Sequence, residues 1–160
     1  MRMRSALILA LLGVSALGCQ HGDDPHAHAP RGKVELIAAP AAADVKPVIA
    51  REVVRARADG KQLLVYVGAS WCEPCTHFHD AVVKGELDEA FPTLRLLAFD
   101  ADRDHDALFA AGYGSELIPL FAEPADDGSP SGRRIEGSIK GDGAVAQIAP
   151  RLRTLLAPPE

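Results

Sequence analysis

The chain has 160 residues, enough for one ordinary domain with short appendages, and its 17 basic against 22 acidic side chains give a formal charge of −5. No basic cluster interrupts that balance. Nucleic-acid binding, which relies on Lys and Arg to displace counterions, is therefore excluded.

The first residues read as an address. Arg2 and Arg4 give a basic start, and Ser5 to Gly18 is an apolar run of about 14 residues. That is short of the roughly 20 needed to span a bilayer and fits the apolar region of an export signal. The run ends Ser15-Ala16-Leu17-Gly18-Cys19, which resembles the lipobox of bacterial lipoproteins, although Ala16 stands where Leu is more common. The resemblance implies cleavage before Cys19 and lipid on its sulfur. Gln20, in place of the Asp that retains some lipoproteins in the inner membrane, slightly favours the outer membrane of a two-membrane host. The alternative is an ordinary cleaved signal, or an uncleaved anchor, with an incidental cysteine. Three cysteines leave an odd one over, a warning in an exported protein. With Cys19 lipidated, Cys72 and Cys75 are the free sulfurs, three positions apart. Losing Arg2 and Arg4 takes the formal charge from −5 to −7.

Residues 19–45 are rich in Ala, Pro, Gly, His and Asp and bury too little apolar surface to offset ordering entropy. They are expected to form a flexible tether. Lys33 to Ile37 could instead add an edge strand. His21, His26 and His28 form a loose tract with some capacity for metal, although three over eight residues is thin.

The domain is expected over residues 46–160. Val45, Ile49, Val53 and Ala56 share one face of a first helix, which Gly60 ends. Gln62 to Val67 is a near-continuous apolar run, as in a strand covered on both faces. A second helix is predicted from Cys72 to about Leu87, with Phe78 and Val82 inward and Val83 a further candidate for the core. Leu94 to Phe99 reads as a second buried strand, and Asp104 to Ala111 as a short helix closed by Gly112. Leu120 to Glu123 and Arg133 to Ile139 form a hairpin across a turn from Pro124 to Gly132. A last helix runs from about Gly143 to Leu156, with Pro150 expected to kink it or delay its start. Early strands joined through helices imply parallel pairing, and the hairpin adds antiparallel strands. The fold class is α/β, a mixed sheet between two helix layers.

Trp71-Cys72-Glu73-Pro74-Cys75 falls where a buried strand meets a helix start. Thiolate is the reactive form of cysteine, and an ordinary thiol near pKa 8.5 is mostly protonated at neutral pH. The unpaired N–H groups and dipole of a helix N-terminus favour the anion. Cys75, one turn on, can attack a mixed disulfide at Cys72 and release the partner. Pro74 is tolerated because an N–H there would have no helical acceptor.

The chain resembles thioredoxin-like thiol-disulfide oxidoreductases, especially exported ones with a WCxxC motif, over about Gln62 to Leu156. Tyr113-Gly114 followed by Ile118-Pro119 matches the family's second landmark, a proline with a cis bond before it that faces the cysteines, about 44 residues after Cys75. Gly137 matches a glycine common after the last strand. The resemblance implies a thioredoxin-like three-layer α/β/α sandwich, with Cys72 and Cys75 catalytic and Trp71, Ile118 and Pro119 shaping the substrate groove. It implies no organic cofactor and no resident metal. It also implies protein substrates bearing disulfides or thiols, a reductant role, a membrane electron donor and an extracytoplasmic, lipid-anchored location.

One position departs from the family. Many members carry a buried acid six residues before the first cysteine, and here that residue is Tyr66. A phenol near pKa 10 is a poor base at neutral pH, so Glu73, a histidine or water must move the second thiol's proton. Glu73 also opposes thiolate formation somewhat, which implies a Cys72 pKa nearer seven than the very low values of strong oxidants.

Two other readings stand beside this one. A metal-handling protein could use Cys72, Cys75 and His79, one turn beyond Cys75, although zinc usually wants four ligands and no second CxxC exists. His77 and His79 otherwise lie on a solvated helix face. A redox-inactive interaction module would keep the fold without turnover.

Overall fold

The computed structural model describes residues 32–42 and 44–158. The export segment 1–18, Cys19 with its expected lipid, and His21, His26 and His28 lie outside the described residues.

In chain order the elements are β1 (Glu35–Ala38), α1 (Lys46–Ala58), β2 (Gln62–Gly68), α2 (Glu73–Val83), β3 (Leu94–Asp100), α3 (His105–Ala111), β4 (Leu120–Pro124), β5 (Pro130–Glu136) and α4 (Ala144–Leu156). The sheet order is β1-β3-β2-β4-β5. Strands β1, β3 and β2 are parallel to one another, and β4 and β5 are antiparallel additions. This is the expected mixed sheet.

The alternation of side chains along a strand sorts the core into two halves. Leu63, Val65 and Val67 of β2 meet Ile49, Val53 and Ala56 of α1 and Leu108 of α3. Leu64 and Tyr66, on the opposite face, meet Phe78 and Val82 of α2 and Ile148 and Leu152 of α4. The sheet is thereby sandwiched between α1 with α3 and α2 with α4.

Three boundaries differ from expectation. First, residues 35–38 lie within the expected tether but pair with β3, with Glu35 opposite Arg95. This is the edge strand that stood as the alternative. Val34 and Leu36 feed one half of the core and Ile37 and Ala39 the other, so the segment gains burial on both faces. The folded domain therefore begins before residue 46.

Second, α2 ends at Val83 rather than near Leu87. Gly85 adopts φ +76°, the Gly85 N–H donates to Val82 O and the Glu86 N–H to Ala81 O. That pair of bonds is a Schellman stop, which a glycine in the left-handed region permits. Val83, expected to face inward, is 70% exposed.

Third, the hairpin turn is tighter than expected, and β5 begins at Pro130 and ends at Glu136. The Asp127 carboxylate accepts the Ser129 N–H at 2.9 Å, closing a local turn. Pro130 is tolerated because β5 is an edge strand. Pro150, expected to kink or delay the last helix, lies inside α4 on an exposed position, and α4 still begins at Ala144.

One buried polar cluster joins the edge strand to the rest. The Arg95 guanidinium lies 2.6 Å from Glu35 Oε2, 3.1 Å from Glu52 Oε1 and 2.8 Å from Asp59 Oδ2. It thus ties β3 to β1 and to α1. Glu52 is only 6% exposed, so removing Arg95 leaves its buried charge with only the exposed Arg55, 3.5 Å away. Arg95→Ala should therefore cost roughly 3–5 kcal/mol in urea unfolding. Adding Glu52→Gln should recover part of that loss, because the stranded charge is gone.

Candidate functional site

Strand β2 delivers the site. After Gly68 the chain turns through Ala69-Ser70-Trp71, and Cys72 occupies the N-cap of α2 with extended backbone, φ −83° and ψ 103°. Its N–H donates to Ala69 O at 3.1 Å, and its carbonyl accepts the Thr76 N–H at 3.0 Å, the opening bond of the helix. The Cys75 N–H points at Cys72 Sγ, 3.3 Å away. The sulfur therefore takes the place that an oxygen occupies in an ordinary N-cap. Once reduced, a thiolate there meets an N–H donor and the positive end of the helix.

The two cysteines form a disulfide with Cα atoms 5.2 Å apart. Both cysteines are buried, Cys72 at 5% and Cys75 at 2% exposure. Ala69, Ala101 and Ile118 pack around the pair. Cys72 Sγ lies 3.7 Å from Ile118 O, and the Ile118–Pro119 peptide bond is cis. The Gly137 N–H donates to Pro119 O at 2.9 Å, so the glycine after β5 holds the proline loop. Gly137 has φ +63°, which a side chain would resist.

A groove of about 180 Å³ is walled by Trp71, Asp102, His105, Phe109 and Ile118, and Ile118 also packs against the cysteine pair. Trp71 is 67% exposed, and its indole N–H donates to Asp102 Oδ2 at 2.8 Å. That bond fixes an exposed ring as one wall. The sequence-predicted residues Trp71, Cys72, Cys75, Ile118 and Pro119 thus come together, from segments more than 40 residues apart.

A second cavity, of about 460 Å³, lies on the other side of Cys75 and is lined by Tyr66, Ser70, Cys75, His79, Asp100 and Arg103 among others. Tyr66 stands where the family's acid is expected. Its ring packs 5.7 Å from that of Phe78 and 5.2 Å from that of Phe121, and its hydroxyl donates to Cys75 O at 3.4 Å. Burial pushes the phenol well above its ordinary pKa, so it is a hydrogen-bond donor and not a base at neutral pH.

Glu73 does not lean over the sulfurs. Its carboxylate accepts the Gly141 N–H at 3.0 Å and lies 3.9 Å from His77 Nε2. The carboxylate is directed to the loop before α4. His79 is half exposed and lies 3.7 Å from Asp80 Oδ1. Among the described residues no three His, Cys, Asp or Glu side chains are grouped to hold a metal ion. In the disulfide form the two sulfurs are bonded to each other.

Asp102 was not anticipated from sequence. Its signal was the run Asp100-Ala101-Asp102-Arg103-Asp104 directly after a buried strand, since the carboxyl ends of parallel strands are where α/β sheets place their sites.

No family model matches the sequence. Over 99 residues the chain is 32% identical to a thioredoxin H-type of Populus jackii, covering 62% of this chain and 64% of that protein. The match thus spans a little under two thirds of the relative's length. The crystal structure of a wild-type poplar thioredoxin h superposes with a TM-score of 0.51 at 25% identity, over 80% of this chain and 100% of that one. Together with the sheet order, the cysteine pair at the N-terminus of α2 and the cis-proline beside it, these similarities show that the chain has a thioredoxin fold.

Proposed function

We propose that the chain is a protein thiol-disulfide oxidoreductase, working as a reductant on exported proteins and held to a membrane by lipid on Cys19. The observation that carries the redox reading is the bonded sulfur pair at the start of α2, where Cys72 Sγ caps the helix by accepting the Cys75 N–H and Ile118 joins the pair to the groove. In the reduced protein, Cys72 thiolate attacks a substrate disulfide, forming a mixed disulfide and expelling one substrate thiolate. Cys75 then attacks Cys72 Sγ, which closes the intramolecular disulfide and releases the second substrate sulfur. Two electrons pass from the dithiol to the substrate, and a dithiol donor, supplied from the membrane, must restore them. The sulfurs store the electrons themselves, so the cycle calls for no organic cofactor. The groove between Trp71 and Ile118 suits an extended substrate segment, with backbone as well as side-chain contacts.

Insulin reduction in the presence of excess dithiol tests the activity. Cys72→Ser should abolish it, and Cys75→Ser should accumulate a mixed disulfide on Cys72. A wild-type rate no higher than that of Cys72→Ser would refute the reading.

The reductant direction is tested by titrating the Cys72 thiolate absorbance. The Cys75 N–H and the helix terminus lower its pKa below the roughly 8.5 of a free thiol, and the expected value lies nearer seven than the very low values of strong oxidants. A value near 4, the range of strong oxidants, would overturn it. For the anchor, Cys19→Ala should move the protein from the membrane fraction to the soluble extracytoplasmic fraction. Labelled fatty acid should be incorporated into the wild-type protein and not into Cys19→Ala, and a wild-type protein that takes up no label would exclude a lipid on Cys19.

A further inference from the structure

Resting on the oxidoreductase reading, the geometry points to His79 as the group that accepts the proton of Cys75 in the resolving step. Cys75 is 2% exposed, and a thiol in apolar surroundings resists ionisation, so its attack on the mixed disulfide requires a nearby base. The cavity beneath it is the route by which one can reach it. Tyr66 is excluded, because its hydroxyl is already spent as a donor to Cys75 O and burial opposes its ionisation.

The other titratable or charged groups around this cavity are His79, Asp100 and Arg103. Arg103 carries no available base, and its guanidinium pairs with Asp104 at 2.6 Å. Asp100 Oδ1 accepts the backbone N–H groups of Asp102 and Arg103, each at 2.9 Å, and an ordinary carboxylate is a weaker base than imidazole by about 2.5 pKa units. His79 follows Cys75 by four residues on α2, so the two share one face with Cβ atoms roughly 5–6 Å apart. Helical side chains lean toward the N-terminus, which carries the imidazole toward Cys75. Asp80 Oδ1 lies 3.7 Å from His79 Nδ1. Glu73, the other acid on this helix, is turned toward His77 and Gly141.

The step balances as follows. In the mixed disulfide, Cys75 S–H gives its proton to the His79 imidazole, through water for which the cavity of about 460 Å³ has room. The new thiolate attacks Cys72 Sγ, the Cys72–Cys75 bond forms, and the bond from Cys72 to the substrate sulfur breaks. The substrate leaves as a thiolate carrying the electron pair, and the imidazolium returns its proton to solvent.

Stopped-flow reaction of the reduced protein with the chromogenic disulfide dithiobis(nitrobenzoate) separates the two stages. The first release of thionitrobenzoate reports attack by Cys72, and the second reports resolution by Cys75. His79→Gln should leave the first release unchanged and slow the second by roughly tenfold or more near neutral pH, toward the low side of general-base effects because the ring is half exposed. The rise of the second phase with pH through the imidazole range should disappear in that variant. Added imidazole should restore it in His79→Ala, and His77→Ala should behave as wild type. A second phase in His79→Gln with wild-type rate and pH profile overturns the assignment, as does an equal loss in His77→Ala. Absence of the first release in the wild-type protein would instead remove the oxidoreductase reading itself, and this step with it.

Discussion

The Cys75 amide aimed at the Cys72 sulfur is the contact on which the site depends. It exists because β2 ends, the chain turns in three residues, and α2 begins with Cys72 as its cap. A helix start has N–H groups with no helical acceptor, and placing a sulfur there supplies one while favouring the charged form of that sulfur. Pro74 fits in the first turn for the same reason, since it contributes no N–H. Most of the surrounding structure serves to hold this junction. The central strand is anchored by apolar packing on both faces, and α2 is pressed onto the sheet by Phe78, which is fully buried.

The second wall of the site is held from elsewhere. The proline loop is pinned by the Gly137 N–H at the end of β5, and Glu73 ties the start of α2 to the loop before α4. Trp71 is fixed by Asp102 at the end of β3. Loops following three different strands, β2, β3 and β5, therefore meet around one pair of sulfurs. The replacement of an acid by Tyr66 alters the lower side of the site without disturbing this frame. Its ring completes an aromatic group with Phe78 and Phe121, so the position contributes to the core instead of to proton transfer. A cavity remains beside it, and this is where proton traffic to Cys75 is placed.

Much of the fold was legible because its elements carry strong local signals. The faces of α1 and β2 follow from apolar periodicity, and the stop of α3 follows from Gly112, which adopts φ +90°. Where local signals were weak or shared, the reading drifted. The expected end of α2 is Leu87, yet Gly85 in the left-handed region stops the helix at Val83. The segment 35–38 lies in a stretch of little periodicity, where an edge strand stands only as the alternative to a tether, and pairing with β3 and the Arg95 cluster decide it.

By itself the sequence determined the class of fold, the reactive pair at a strand-to-helix junction and the proline opposite it, because each is written in residues close together or in a motif of fixed order. Tertiary structure alone decided which neighbours those residues have. Asp102 beneath Trp71, Gly141 against Glu73, and a cavity joining Cys75 to His79 all arise where separate loops or layers converge. Such contacts bring together groups with no common periodicity, so they exist only once the sheet has set the distance between them.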